Sequence, residues 1–221
     1  MHLKGFKKLK EIFEFEEEEK KVYVRGDICN IEPNIIGVII QNDMGNKHSP
    51  TVIVVPITDN KYTYVKIETT IGELHVDLSN MYTVDKSRII KKIGSVIQKS
   101  LVYITNRLKK EIETINTSLE VFMVKIINNI GSEQGGERPM LLITTEHGAY
   151  GIPMTTQVKN NLPTHVHMNR NSTIFKNSIL LFEQIKNLSE ITIEKYCGKI
   201  PFSEEIKNAL EISIGLKYNY N

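Results

Sequence analysis

IIQNDMGNKHSPTVIVVPIT, residues 39–58, sets two runs of apolar, β-branched residues around a centre of turn formers. Val52, Ile53, Val54 and Val55 favour an extended backbone. Asn42, Asp43, Gly45, Asn46 and the pair Ser49-Pro50 interrupt it. The stretch therefore predicts a strand over 35–41, a turn-rich connection, and a second strand over 51–57. Working outward, residues 21–28, 62–68 and 73–78 read as further short strands. Ile97, Leu101, Ile104, Leu108, Ile112 and Ile115 then recur every three or four residues, the apolar stripe of a long helix.

After Asn116-Thr117-Ser118 the same order begins again. Residues 120–128 read as a strand, GSEQGGERP (131–139) as a glycine-rich loop, and residues 140–145 as a strand. Residues 174–185 form another apolar stretch. Ser203 is a helix N-cap candidate, with Glu204 and Glu205 in the first turn. Ile206, Leu210 and Ile214 make that helix's stripe, and Gly215 is its stop. Pro56-Ile57-Thr58 has a counterpart in Pro153-Met154-Thr155. MYTVDKSRIIKKIG, ending at Gly94, aligns without gaps on IKNLSEITIEKYCG, ending at Gly198. Strands closed by one helix, twice over, predict an internal repeat.

The totals agree with a chain of one large or two small domains: 221 residues, 40% hydrophobic and 24% charged. A net charge of +2 permits a nucleic-acid partner without demanding one. Cys29 and Cys197 stand far apart in sequence and read as small buried hydrophobes in a reducing compartment. No apolar run is long enough for a bilayer, and the N-terminus has no signal-peptide core, so a cytoplasmic protein is expected. Leu3, Phe6, Leu9, Ile12 and Phe13 predict an amphipathic N-terminal helix over residues 1–20, ending in an acidic, solvated run. Histidines, carboxylates and cysteines show no metal-ligand spacing.

Several motifs resemble the MazF/PemK toxin family. They are RGDI (25–28), the 39–58 block, GSEQGGERP (131–139), LPTHV (162–166), ILLFEQI (179–185) and EEIKNALEISIGL (204–216). A single family member carries all of these once in about half this length. Here they are divided. The first half keeps RGDI and the 39–58 block, but Glu32-Pro33-Asn34 replaces the glycine-rich loop. The second half keeps the loop, LPTHV and EQI, but has lost RGD and shortened the QND region to TEHGAYG. The resemblance implies a mainly β, α+β fold: two tandem, small, curved antiparallel sheets, SH3-like and partly open as barrels. Each would carry a C-terminal helix, and together they would form an intramolecular pseudo-dimer. Copy 1 would span 21–116 and copy 2 117–221.

What the resemblance implies about chemistry is metal-independent cleavage of single-stranded RNA, with the 2′-hydroxyl of the substrate as nucleophile and no cofactor. A guanidinium suits the transition state, because it stays charged and offers a planar fork of donors to phosphate oxygens. The family's catalytic pair maps onto Arg138 and Thr155 in copy 2. Copy 1 supplies Thr58 but no arginine, and Ser79 and Asn80 stand in the places of Glu183 and Gln184, so its own site is expected to be dead. RNA contacts are implied for Ser132, Glu133, Gln134, Pro163, His165, Glu183 and Gln184. Thr58 and Asn42 are the candidate contributions from copy 1, which would form the far wall of the groove; a composite site pairing Thr58 with Arg138 is the alternative architecture. Without the resemblance, the glycines read as a hairpin turn, Thr155 as a β-former, His165 as a structural histidine, and Arg25, Asp27, Asn42 and Asp43 as residues that hold turns. His147 and His167 receive no role. The implied partners are single-stranded RNA and one MazE-like antitoxin with an acidic tail, for a chain monomeric as a pseudo-dimer and open to further oligomerisation. The competing functions are a non-cleaving RNA-binding or antitoxin- or toxin-binding decoy, and inhibition of a topoisomerase.

Overall fold

Short antiparallel strands run through the described residues of the computed structural model, which are 22–59, 65–127, 130–146, 148–157, 162–168, 175 and 177–217. The helix expected over residues 1–20, and His147, lie outside them. The first half contains β1 (Asp27–Ile31), β2 (Ile35–Ile39), α1 (Asp43–His48), β3 (Thr51–Pro56), β4 (Val65–Thr69), β5 (Gly72–Val76), β6 (Tyr82–Asp85), β7 (Ile89–Ser95) and α2 (Gln98–Glu113). The second contains β8 (Ser118–Ile126), β9 (Gly136–Thr144), β10 (Ala149–Thr155), β11 (His165–His167), β12 (Ile179–Leu181), β13 (Lys186–Asn187), β14 (Ile191–Pro201) and α3 (Glu204–Ser213).

The halves correspond strand for strand. In the first, the sheet order is β6-β3-β2-β1-β7, with β4-β5 as a separate hairpin. In the second it is β11-β12-β10-β9-β8-β14, with β13 also against β10. Neither order closes on itself. β7 bulges at Ile90 and Ile93 where it pairs with β1, and β14 bulges at Glu194 and Cys197 where it pairs with β8, each 104 residues further on. Gly94 and Gly198 follow those second bulges at the same separation. Bulges increase twist and bend a strand, so both sheets curl at the same place.

The sequence reading differs from the structure at several points, among them that β9 begins at Gly136, inside the loop expected over 131–139, and that β10 and β11 have no counterpart in that reading. Residues 42–48 are not simply a turn, because Asn42 accepts from the Gly45 N–H at 2.6 Å and caps α1. The strand expected over 21–28 starts only at Asp27, since Arg25 and Gly26 (φ 92°) form a turn. β6, β7, β13 and β14 gave no alternating signal: bulges break the period of β7 and β14, and much of β14 faces solvent. The α3 expectations hold. Ser203 accepts from the Ile206 N–H at 3.3 Å, and Gly215 stands at φ 72° just past the helix end.

One hydrophobic core runs through both halves. Ile28, Val38, Ile53 and Val55 meet Val121, Leu141 and Ile152, with Leu108 from α2 and Leu210 from α3. Smaller clusters lie within each half, around Ile31 and Val54 in the first and around Val124 and Met140 in the second. A polar clasp crosses the same boundary. Buried Arg25 donates from Nη1 to the carbonyls of Ile40 and Ile214, and from Nη2 to Thr105 Oγ1 at 3.3 Å. Asn42 Nδ2 donates to Ile212 O. A side chain at Gly215 would overlap the Arg25 guanidinium. The RGD motif of the first half and the ISIGL ending of the second thus complete one another, and satisfy the last carbonyls of α3.

Candidate nucleic-acid interface

Arg138 lies in the early part of β9, paired across the ladder with Val124 of β8. Pro153 of β10 pairs with Met140, and continuing that register by two residues sets Thr155 opposite Arg138. Both line a cavity of about 410 Å³ with Glu137, Met154, Gln157 and Ser178; Thr58 is not among its lining residues. The half-buried guanidinium is held by its own loop: Nε donates to Gly135 O at 2.9 Å, Nη2 to the same carbonyl, and Nη1 to Gln134 Oε1. Burial lowers its pKa from the ordinary arginine value, which still leaves it charged at neutral pH. Thr155 Oγ1 accepts from the Gln157 N–H at 3.2 Å, an arrangement in which its own proton can be donated elsewhere.

The same register in the first half ends differently. Pro56 pairs with Gly37, and the position two residues before Gly37 is Ile35, which faces Ile31 and packs on the first half's small apolar cluster. A hydrocarbon therefore stands where the second half carries its guanidinium. Thr58 itself keeps the place of Thr155: its N–H donates to His75 O of β5 at 3.0 Å, as Thr155 pairs with Ile179 of β12.

A second cavity, of about 380 Å³, opens between the halves. Gln41, Asn42, Met44, His48, Ser49 and Pro50 form one wall, and Ser132, Gln134, Pro163, His165, Glu183 and Gln184 line the other, with Thr164 and Ser213 alongside. The RNA-contact residues expected from GSEQGGERP, LPTHV and EQI come together there, save Glu133, while Arg138 of the same loop motif lines the first cavity. Met44, His48 and Pro50 were missed, because in sequence they are part of a turn-rich connection. Glu183 organises the second wall, accepting from Thr164 Oγ1 at 2.9 Å and sharing a 3.0 Å hydrogen bond with His165 Nε2. A carboxylate only accepts, so Nε2 is the donor in this bond and Nδ1 is the ring edge turned away from it. His165 Nδ1 and Gln41 Oε1 are both buried without a hydrogen-bond partner. Gln184 bridges the walls, accepting from the Gln134 N–H at 3.2 Å and donating to Thr51 Oγ1 at 3.4 Å.

Glu133 turns inward instead. Its side chain is fully buried, 2.8 Å from Arg88 Nη1 and 3.1 Å from Lys186 Nζ. It therefore holds the loop from inside, and the RNA contact implied by its motif position would require the side chain to leave these partners. Gly131 (φ 57°) is likewise explained by a neighbour, since a Cβ there would lie 2.5 Å from an Asp85 carboxylate oxygen. His167 is exposed at the end of β11.

The cavity between the halves has a counterpart by internal symmetry, and that counterpart is closed. Ser79 and Asn80, in the places of Glu183 and Gln184, turn onto Asp77 through hydrogen bonds of 3.0 Å from Ser79 N and 3.1 Å from Asn80 Nδ2. The shortened β9–β10 connection fills the remaining space: a Cβ at Gly148 would lie 2.7 Å from Ser79 O. Asn187 Nδ2 donates to Asn80 Oδ1 across the contact.

Two curled sheets of matching topology, a cavity shared by an arginine and a threonine, and an inter-half groove together point to a duplicated toxin-type domain. The family model described as "PemK-like, MazF-like toxin of type II toxin-antitoxin system" matches twice, over residues 35–112 and 117–214. The chain belongs to that family. Among curated relatives, an endoribonuclease MazF of Staphylococcus epidermidis is 42% identical over 107 residues, covering 44% of this chain and 89% of the relative. One from Staphylococcus saprophyticus is 41% identical over the same length and the same shares. A solved mycobacterial endoribonuclease in complex with its cognate antitoxin aligns with a TM-score of 0.37 and 20% identity, over 41% of this chain and 92% of that one. Among the described residues, no helix is long and apolar enough to cross a membrane.

Proposed function

We propose that the chain is a metal-independent, sequence-selective endoribonuclease acting on single-stranded RNA, as the toxin of a toxin–antitoxin pair. Its single cleavage site would lie in copy 2, within copies bounded at 116/117. The observation that carries this is the sharing of one cavity by Arg138 and Thr155, with Ile35 at the matching position of the other half. In the reaction, the ribose 2′-oxygen bonds to phosphorus as its proton departs, and the bond from phosphorus to the 5′-oxygen breaks as that oxygen gains a proton. The products are a 2′,3′-cyclic phosphate and a 5′-hydroxyl. Arg138 offsets the charge that builds on the non-bridging oxygens, where oriented donors act most strongly. Thr155 donates a hydrogen bond from its hydroxyl to the same phosphate and keeps its proton. For this, Arg138 exchanges Gly135 O and Gln134 for phosphate oxygens, which are stronger acceptors.

The groove between the halves supplies selectivity. Unstacked bases are recognised by apolar faces and fixed hydrogen-bonding edges. Pro50 and Pro163 offer the former; Gln41, Gln134 and His165 Nδ1 offer the latter. Copy 1 thus acts as the far wall of a groove whose chemistry belongs to copy 2. The cytoplasm, where mRNA is exposed, is the compartment this reading implies.

The direct test is digestion of a long mixed-sequence RNA in EDTA by wild type, Arg138→Ala and Thr58→Ala. Cleavage by wild type and Thr58→Ala, lost in Arg138→Ala, supports one metal-independent site in copy 2. Loss in Thr58→Ala, with its fold intact, points to the composite site instead. Failure of a folded wild type to cut leaves the non-cleaving reading, an RNA- or antitoxin-binding decoy. That reading draws on one observation: the Arg138 fork is already occupied by its own loop.

A further inference from the structure

We propose that Arg88 and Asp85, both in the half without a catalytic arginine, are positioning residues for the catalytic loop of the other half. This rests on the nuclease reading above and adds a division of labour to it. Arg88 is buried, and its guanidinium spans two elements. Nε and Nη2 donate to Glu32 O at 3.0 and 2.6 Å, in the three-residue turn that replaces the lost loop of copy 1. Nη1 donates to Glu133 Oε1 at 2.8 Å, in the intact loop of copy 2. Asp85 grips the same loop twice. Its carboxylate accepts from the Ser132 N–H at 2.7 Å, and its own N–H donates to Glu133 Oε1 at 3.0 Å.

Glu133 is the hinge of this arrangement, since its second oxygen takes Lys186 Nζ at 3.1 Å, with both side chains fully buried. Buried carboxylates need charged or hydrogen-bonding partners on every side, so the loop's position is fixed where these partners converge. The next residue, Gln134, reaches Arg138 through its side chain and Gln184 through its N–H. Gly135 O holds the Arg138 fork from the other side. A path of bonded groups therefore runs from Arg88 and Asp85 of copy 1, through Ser132 and Glu133, to the guanidinium in copy 2. Arg88 and Asp85 never approach the cavity that Arg138 shares with Thr155. Their effect is to hold the loop that aims it.

The chain contains no tryptophan, so Ile130→Trp, at an exposed position that opens the loop and lines neither cavity, provides a single fluorescent reporter. The full-length chain is compared with Arg88→Met, Arg88→Lys and Asp85→Ala, with and without the reporter. In folded Arg88→Met, turnover of a single-stranded RNA should fall about a hundredfold, the scale of a misplacement near 1 Å, with KM within about threefold. Time-resolved anisotropy of the reporter should show added loop motion. Arg88→Lys, which keeps charge but not the fork between Glu32 O and Glu133, should lie between. Asp85→Ala repeats the test if Arg88→Met does not fold. A folded variant with wild-type turnover, or with wild-type anisotropy, overturns the proposal. If wild type cuts no RNA the nuclease reading falls separately, and the anisotropy alone decides whether these residues hold the loop.

Discussion

Arg138 and Ile35 occupy equivalent places in two copies of one fold, and the difference between them is the difference between a guanidinium and a hydrocarbon. Arg138→Ala should lower turnover by about two to three orders of magnitude, measured by single-turnover cleavage of RNA. Ile35→Arg should not create a second site, because the Ile35 side chain faces an apolar cluster and β1–β2 lacks the loop to hold a fork. Cys29 is silent for a related reason. Burial first, then the neighbouring Asp27 charge, push its thiol up to about 12. Native protein should therefore be alkylated at half-buried Cys197 and not at Cys29, as peptide mapping after iodoacetamide will read. Asp85 behaves oppositely. Burial works to raise its pKa, but hydrogen bonds from Ser87 and Ser132 prevail and hold it below the ordinary carboxylate value. A depressed folded pKa contributes stability that is present above the unfolded value and is lost as pH falls through the folded one. The melting-temperature gap between wild type and Asp85→Ala should thus be full at neutral pH, begin to narrow near the unfolded value of about pH 4, and go on narrowing until pH has passed the lower folded value.

Among elements, α1 and the glycine-rich loop show how much could be read and how much could not. Residues 39–58 announce the two strands through their β-branched runs, yet α1 is only six residues long and carries no apolar period. Its Asn42 cap also ties down α3, so Asn42→Ala should cost about 1 kcal/mol for the cap alone, and more for the lost Ile212 bond, in urea unfolding. Ser203 and Gly215 were legible because capping is local in sequence. Arg88, Asp85 and Lys186 were not, because each looks like a solvated charge in DKSR or EQIK; Lys186 finds Glu133 only through the tertiary fold of its own half, and Arg88 and Asp85 find it only after the halves meet. Glu133 stands in its motif, but its buried bonds to Arg88 and Lys186 could not be read there. Motif position says that a residue matters; it does not say which way the side chain turns.

For the molecule as a whole, the division of motifs noted in sequence acquires a geometric reason. RGD in the first half reaches the end of α3 in the second, and the 39–58 block faces GSEQ, LPTHV and EQI across the groove. What each half keeps is what the other half touches on one side of the internal two-fold. What both have lost belongs to the opposite side, where Gly148 rests on Ser79. An antitoxin tail that occupies the groove should accordingly bind once per chain, and calorimetric titration with an acidic peptide giving two equivalent sites would count against the single-groove reading. Cutting the gene between residues 116 and 117 should leave neither half stable alone, since the core residues Ile28 and Leu141 belong to one cluster. Co-expression of both pieces, followed by size exclusion, tests this.

The shared core also bears on how few molecules are enough. Two separate chains that must meet before their groove exists fall apart on dilution, so their activity fades faster than their number. Here both walls leave the ribosome as one product, and the second wall stays at a fixed, high effective concentration beside the first. On the single-groove reading one translated chain would suffice, and potency is then expected to scale linearly with copy number, as titrated expression in cells will read.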